Sequence, residues 1–120
     1  MKKILVVEDD NEMRVTLKAV LERHGYEVDV AEDGISALNK LWVNTYDAAV
    51  TDVMMPGING LKLMSIARTI PPQVNFLVIS GNSSPENKAE AFRLGAKAFV
   101  QKPFTPNELL QAVKIVMGNY

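Results

Sequence analysis

Four sets of polar residues follow four short apolar runs of the sequence. In chain order they are Glu8-Asp9-Asp10, Asp52, Ser80 and Lys102 with Pro103. Taken singly, Asp52 would be a turn former or a helix cap, Ser80 a turn residue and Lys102 a surface lysine. If the apolar runs are parallel strands of one open sheet, their carboxyl ends meet at one edge, where ligands bind such sheets. The joint placement therefore favours a shared site.

The residue types in this set are suited to phosphate chemistry. Neighbouring carboxylates repel one another, which raises their pKa values, and a divalent cation relieves the repulsion. Oxygen donors without cysteine suit Mg²⁺ better than Zn²⁺. An ionised Asp52 between such a cation and Lys102 could attack phosphorus, and the hydroxyl of Ser80 could hold the product. The pattern predicts phosphoryl transfer to Asp52 by positioning and electrostatics.

The elements that would position these residues alternate along the chain. Predicted strands are Lys3–Val7, Glu27–Ala31, Ala48–Asp52, Asn75–Ser80 and Lys97–Gln101. Predicted helices are Asn11–His24, Gly34–Asn44, Leu61–Ile70, Pro85–Leu94 and Pro106–Met117, with caps at Asp10, Asp33, Ser84 and Thr105. Connections of helix length imply parallel strands, right-handed crossovers and helices on both faces of the sheet.

Several apolar residues are expected to pack against the sheet. In the second helix the predicted inward residues are Ile35, Leu38, Leu41 and Trp42. Trp42 and Met64 are expected to pack their helices on the sheet, and Met55 to anchor the loop after Asp52. His24, the single histidine, lies in the last turn of the first helix, where it can interact favourably with the negative end of the helix dipole.

Length and composition limit the classes of protein. The 120 residues, 48% of them apolar, fit one domain spanning 1–120 with one core and no effector domain. The net charge of −1 gives no basic surplus for direct nucleic-acid or membrane binding. The absence of cysteine excludes thiolate metal sites and fits a cytoplasmic protein. The apolar run after Met1 is too short for a signal peptide, and no apolar stretch reaches transmembrane length.

Four segments identify a family when they are taken together. ILVVEDD, VTDVMMPGINGL, FLVISG and GAKAFVQKPF occur in this order and resemble the receiver domain of two-component response regulators. The resemblance covers essentially the whole chain. It implies a flavodoxin-like, doubly wound α/β fold, in which a five-stranded parallel sheet of order 2-1-3-4-5 carries five helices.

The resemblance also implies roles for the matching residues. Asp52 matches the phospho-acceptor, which takes a phosphoryl group from a kinase phosphohistidine. Glu8 and Asp9 match the acidic pair that binds Mg²⁺ with Asp52 and the backbone carbonyl of Met54. Three further residues match the parts that respond to the phosphoryl group: the switch hydroxyl Ser80, the lysine Lys102, with a cis bond to Pro103, and the switch aromatic Phe99.

Four positions depart from common family members or tune their chemistry. Glu8 is one methylene longer than the usual aspartate, so we expect a water-mediated or shifted role in metal binding. Phe99 lacks a tyrosine hydroxyl. Met54 and Asn82 stand where residues tune hydrolysis, and a methionine there orients an attacking water poorly. The phosphoryl group should therefore last longer than in fast chemotaxis-type receivers.

The resemblance predicts a regulatory switch rather than an enzyme, assisting only its own phosphorylation and dephosphorylation. Expected partners are a sensor histidine kinase or phosphotransfer protein, and a downstream protein or linked output domain. The latter would read the face formed by the fourth helix, fifth strand and fifth helix. The fifth strand begins Gly95-Ala96-Lys97-Ala98, without the paired acids of winged-helix regulators. Their dimer mode is therefore in question, and a monomer or weak phosphorylation-linked dimer is expected.

Three other classes of protein compete with this prediction. A phosphorylation-independent docking module on the receiver fold stays open as the main alternative. A hydrolase of the haloacid dehalogenase type would need a second aspartate two residues after its nucleophile, but Asn11 follows Asp9 and Met54 follows Asp52 in that position. A mononucleotide or flavin binder would need a glycine-rich loop after the first strand. The chain fits both a stand-alone receiver and the receiver of a longer regulator.

Overall fold

Strands and helices alternate five times in the computed structural model of the chain, which describes residues 1–81 and 84–118. The strands are β1 Lys3–Val7, β2 Glu27–Ala31, β3 Ala48–Asp52, β4 Asn75–Ser80 and β5 Ala96–Gln101. The helices are α1 Asn11–Arg23, α2 Gly34–Val43, α3 Gly60–Ala67, α4 Pro85–Arg93 and α5 Pro106–Met117. The apolar runs and amphipathic segments of the sequence thus form the two kinds of element that their periods predict.

The five strands form one parallel sheet in the order β2-β1-β3-β4-β5, which confirms the predicted topology. The register brings the strand ends together. Val7 of β1 pairs with Thr51 of β3, and Ser80 of β4 pairs with Gln101 of β5. The residues that come next along the chain therefore leave the sheet at one edge, as an open parallel sheet requires of a ligand site.

Both faces of the sheet are covered, and each has its own apolar core. Successive strand residues point to opposite faces, so Leu5 and Val7 join one core while Ile4 and Val6 join the other. The first core includes residues of α2, α3 and α4, and the second includes residues of α1 and α5. The central strand β3 is buried along its whole length, as expected for a strand covered on both faces.

Four of the five predicted helix starts are confirmed, each by a side-chain cap. The carboxylate of Asp10 accepts the backbone N–H of Glu12 at 3.0 Å, at the start of α1. Asp33 and Ser84 cap α2 and α4 in the same way. Thr105 forms the expected capping box with Glu108, in which each side chain accepts the other's backbone N–H. These bonds satisfy N–H groups that have no partner inside the helix.

The predicted bounds of α3, Leu61–Ile70, are wrong at both ends. The helix begins at Gly60, because Asn59 caps it by accepting the N–H of Lys62 at 2.8 Å. It ends at Ala67, after which the N–H of Thr69 bonds to Ile66 and that of Ile70 to Ala67. These i→i−3 bonds tighten the last turn and replace the α-helical pattern before Pro71.

Two of the residues predicted to face inward from α2 do not. Trp42 is 71% exposed and Ile35 is 58% exposed, whereas Leu41 is buried and Leu38 packs at the edge of the core. Small residues occupy the side of α2 that lies against its neighbours. A Cβ on Gly34 would lie 2.8 Å from the Cβ of Ile58, so no larger side chain fits there. Met64 and Met55 are buried as predicted.

Within residues 1–81 and 84–118, no helix is long and apolar enough to cross a membrane.

Candidate functional site

The polar residues predicted to form a site meet at the carboxyl edge of the sheet. Glu8 follows β1, Asp52 ends β3 and Ser80 ends β4, and all three are buried. Lys102 follows β5, and its backbone N–H donates to the carbonyl of Ser80 at 2.9 Å. Burying polar groups at the ends of three strands costs free energy unless each group is paired. The contacts of these side chains therefore determine what the site can do.

Lys102 pairs with two carboxylates at once. Its Nζ lies 2.6 Å from Oδ2 of Asp52 and 3.0 Å from Oε1 of Glu8. The ammonium therefore joins residues from β1, β3 and the end of β5 that are up to 94 positions apart in the sequence. The peptide bond between Lys102 and Pro103 is cis, the conformation that the family resemblance implies.

The second oxygen of each carboxylate accepts a backbone hydrogen bond. Oε2 of Glu8 accepts the N–H of Asp10 at 3.2 Å, and Oδ1 of Asp52 accepts the N–H of Met54 at 3.1 Å. No buried side-chain nitrogen or oxygen in residues 1–81 and 84–118 is left without a partner. One ammonium and two backbone amides thus donate hydrogen bonds to the two carboxyl groups.

Burial and charge act in opposite directions on these groups. Burial raises the pKa of Glu8, and the hydrogen bond from Lys102 only partly offsets this. Burial lowers the pKa of Lys102, but the hydrogen bonds to Asp52 and Glu8 outweigh it and leave that pKa raised. Lys102 therefore remains a cation beside the two acids, a charge placed where a phosphate oxygen could be bound.

The possible metal ligands at this edge of the sheet are oxygen atoms. Asp9 is exposed beside the buried acids, and all available donors are carboxylate or carbonyl oxygens, the ligands that Mg²⁺ prefers. No three acidic, histidine or cysteine side chains among the described residues lie close enough together to enclose a metal ion. The chemistry of the donors fits Mg²⁺, while Lys102 holds the two buried carboxylates that would contribute to the site.

The loop between β3 and α3 is built against the end of the central strand. Met55 is buried and anchors it, whereas the side chain of Met54, two residues after Asp52, is 63% exposed. Gly57 takes a φ of 75°, a conformation that favours glycine. The N–H of Gly60 returns to the carbonyl of Val53 at 2.9 Å, which closes the loop beside Asp52.

The two remaining sequence-predicted positions lie on the β4 and β5 side. Phe99 is half-buried in β5, and Nζ of Lys88 on α4 lies 5.7 Å from the centroid of its ring, in cation–π range. Ser80 is fully buried at the end of β4. Asn82 lies outside the residues that the structure describes.

Arg14 is a residue of this region that the sequence analysis missed. It lies on the first turn of α1, and its Nη1 donates to the carbonyl of Glu8 at 2.8 Å. Nη2 donates to the side-chain oxygen of Asn11 at 2.8 Å. The available signal was an arginine one helical turn after the acidic stretch, but surface arginines at such a spacing are common.

Comparisons with known proteins identify the family of the chain. The model of the response regulator receiver domain matches residues 4–114. Response regulator MprA from Mycobacterium sp. (strain KMS) is 35% identical over 115 residues, which are 96% of this chain and 50% of that protein. The chain thus spans about half the length of the curated relatives it matches.

Two similar solved structures cover nearly the whole chain. A CheY-like receiver domain protein from Methanospirillum hungatei JF-1 is 30% identical with a TM-score of 0.93, over 98% of this chain and 94% of that one. TrrA from Thermotoga maritima, in complex with Mg²⁺-BeF, is 34% identical with a TM-score of 0.87, over 97% and 99%. With the family model matching most of its length, the chain belongs to the receiver domains of two-component response regulators.

Proposed function

We propose that the protein accepts a phosphoryl group on Asp52 and thereby switches the surface that a partner reads. The observation that carries this proposal is the contact of Asp52 with Lys102, at 2.6 Å, at the carboxyl end of the central strand. An acid paired with a cation, at the edge where open sheets bind ligands, is placed to react and to hold the product.

The reaction needs little from the protein beyond placement. An oxygen of Asp52 attacks phosphorus, and the bond from phosphorus to the donor's histidine nitrogen breaks. The imidazole leaves with the bonding electron pair and takes up a proton. Lys102 turns from the carboxylate to the new phosphoryl oxygens, where its charge offsets theirs. The donor is a sensor histidine kinase or a phosphotransfer protein.

The residues that would hold Mg²⁺ are Asp9, Asp52 and the backbone carbonyl of Met54, with Glu8 in a more distant role. The complex of TrrA with Mg²⁺-BeF supports the use of Mg²⁺ in this family. When bound, the ion offsets the negative charge that builds up on the transferred oxygens. Glu8 is occupied by Lys102 and by the N–H of Asp10, which supports an indirect contribution to the metal site.

The readout is proposed to run through Ser80 and Phe99. The hydroxyl of Ser80 would turn to the phosphoryl group, and Phe99 would then move inward and away from Lys88. The face built from α4, β5 and α5 would change with it, for a downstream protein or a linked output domain to bind. In this proposal, phosphorylation shifts the population between two conformations of the protein, and a partner responds to that shift.

The first experiment measures phosphorylation directly. The protein is incubated with acetyl phosphate, with and without MgCl₂, and its intact mass is followed over time. We expect a Mg²⁺-dependent gain of one phosphoryl group that is absent in Asp52→Asn. Asp47→Asn is the matched control, because Asp47 lies before β3, at the opposite end of the strand, where it binds the N–H of Lys3. This control should be phosphorylated like the wild type.

The same experiment tests the lifetime of the product. Met54 and Asn82 occupy the hydrolysis-tuning positions, and the exposed thioether of Met54 cannot orient an attacking water as a polar side chain can. The mass of the phosphorylated form should therefore decay slowly after the donor is removed. Decay within seconds would contradict the assignment of Met54. A wild type that never gains mass would instead favour a docking module that works without phosphorylation.

A further inference from the structure

The guanidinium of Arg14 holds the turn that carries the two acids after β1. Its Nη1 donates to the carbonyl of Glu8 at 2.8 Å and reaches that of Asp9 at 3.4 Å, and its Nη2 binds the side chain of Asn11 at 2.8 Å. The backbone N–H of Arg14 also donates to the carbonyl of Asp10 at 2.9 Å. One half-buried side chain thus contacts two of the three residues between β1 and α1, and the first residue of α1.

These contacts act on the backbone of the acids and leave their carboxylates free for other partners. A carbonyl group at the end of a strand has lost its neighbour in the sheet and needs another donor. The planar fork of arginine supplies two N–H groups in a fixed geometry, which a lysine cannot reproduce. Arg14 therefore holds the backbone of Glu8 and Asp9, and this sets the direction in which their side chains project.

We infer that Arg14 is a positioning residue that orients the acidic turn for divalent-cation binding. The inference rests on the proposed function, since it assumes that the turn takes part in holding Mg²⁺. Among the described residues, Arg14 donates only to backbone carbonyls and to the side-chain oxygen of Asn11, so it acts through the acids and not as a ligand. Residues that orient metal ligands in this way commonly change metal affinity by 10–100-fold when they are replaced.

Charge alone would produce the opposite result. A guanidinium close to the site repels a divalent cation, so its removal should tighten Mg²⁺ binding by Coulomb's law. If Arg14 orients the turn, its removal should weaken binding in spite of that favourable change in charge. A residue that only stabilises the fold would lower the melting temperature and leave the affinity of the folded protein for Mg²⁺ unchanged. On removal of Arg14, an orienting role therefore predicts weaker Mg²⁺ binding, a charge effect tighter binding and a purely stabilising role unchanged binding.

The experiment is isothermal titration of MgCl₂ into the wild type, Arg14→Ala and Arg14→Lys, with a thermal unfolding curve for each. Arg93→Ala is the control, because Arg93 pairs with Glu90 within α4 and touches neither the acidic turn nor Lys102. We expect Mg²⁺ affinity to fall on the order of 10-fold in Arg14→Ala. Arg14→Lys keeps the charge but loses the fork, so it should fall nearly as far. Arg93→Ala should match the wild type.

The outcomes separate this inference from the proposed function. Unchanged or tighter binding in both Arg14 variants would overturn the positioning role and leave Mg²⁺ binding by the protein intact. A wild type that binds no Mg²⁺ would overturn the inference together with the proposed metal site. If Arg14→Ala does not fold, Arg14→Lys decides the question, because wild-type affinity in this variant would overturn the positioning role and weaker affinity would support it.

Discussion

At the scale of single residues, Gly60 sets how closely the loop after β3 can approach Asp52. A Cβ at this position would lie 2.1 Å from the carbonyl oxygen of Asp52 and 3.0 Å from the Cα of Val53. Both are backbone atoms, which cannot rotate away as a side chain could. Gly60→Ala should therefore push the end of the central strand out of place and lower the free energy of unfolding by about 3 kcal/mol.

Gly81→Ala provides the comparison for chemical denaturation of the two variants. An added Cβ at Gly81 would meet no atom of the described residues within 4 Å, so the stability of Gly81→Ala should stay within about 1 kcal/mol of the wild type. We also expect Gly60→Ala to take up less phosphate from acetyl phosphate, because the clash falls on the acceptor residue itself. Equal stabilities of the two variants would show that the loop relaxes without moving β3.

The chemistry of the site was predictable from sequence because each residue ends a strand. A strand end is visible as an apolar run, and the parallel topology then places Glu8, Asp52 and Lys102 at one edge. The contact of Lys102 with both acids depends on the sheet order, which the family resemblance supplied. Arg14 could not be found in this way, because its partners are backbone carbonyls, and carbonyls leave no trace in the sequence.

At the scale of the elements, the edge strand β2 is tied to the chain before β3 by a hydrogen bond between side chains. The hydroxyl of Tyr46 donates to Oδ2 of Asp29 at 2.7 Å, and Nζ of Lys3 lies 3.5 Å from the same oxygen. The bond from Tyr46 holds the pKa of Asp29 below its usual range. Burial and the carboxylate of Asp29 raise the pKa of Tyr46 above its ordinary value.

These shifts predict how the stability gained from Tyr46 varies with pH. The lowered pKa of Asp29 gives stability above about pH 4 that is lost as its carboxylate is protonated at lower pH. The raised pKa of Tyr46 gives stability below about pH 10 that is lost as the unfolded chain ionises at higher pH. Tyr46→Phe should therefore cost about 1 kcal/mol between these limits. The difference from the wild type should shrink on both sides.

Urea denaturation of the wild type and Tyr46→Phe across this pH range tests the prediction. Asp29→Asn is the matched background, because it removes the titrating carboxylate from the pair. In that background the acid-side change should disappear. A difference between wild type and Tyr46→Phe that stays constant down to pH 2 would mean that the hydroxyl does not act on Asp29.

Helix starts and helix faces differed in how far the sequence could predict them. The caps at Asp10, Asp33, Ser84 and Thr105 were predictable because a single side chain satisfies N–H groups next to it in the chain. The inward face of α2 was not, because nearly every side of that helix is apolar. Gly34 lies too close to Ile58 for a larger side chain and Ala37 is buried, whereas Trp42 is left exposed.

At the scale of the whole molecule, the sheet is shared by two cores that have no buried residue in common. Each strand contributes alternate residues to the two faces, so neither core can lose its packing while the strands stay in place. This arrangement predicts one cooperative unfolding transition, as in most domains of this size. Leu63 on α3 and Leu109 on α5 are fully buried on opposite faces, so they probe the two cores separately.

Leu63→Ala and Leu109→Ala should each lower the free energy of unfolding by about 2–5 kcal/mol. Near-ultraviolet dichroism reports on both faces, because Tyr46 and Phe76 lie in the core that contains Leu63 and Tyr26 packs against the core that contains Leu109. In Leu109→Ala the whole of this signal should be lost together with the far-ultraviolet signal. Ile115→Ala, on the exposed side of the same helix, should change stability by less than about 1 kcal/mol. Two separate transitions in Leu109→Ala would mean that the two faces unfold independently. A structural change at Asp52 could then affect one face of the sheet without the other.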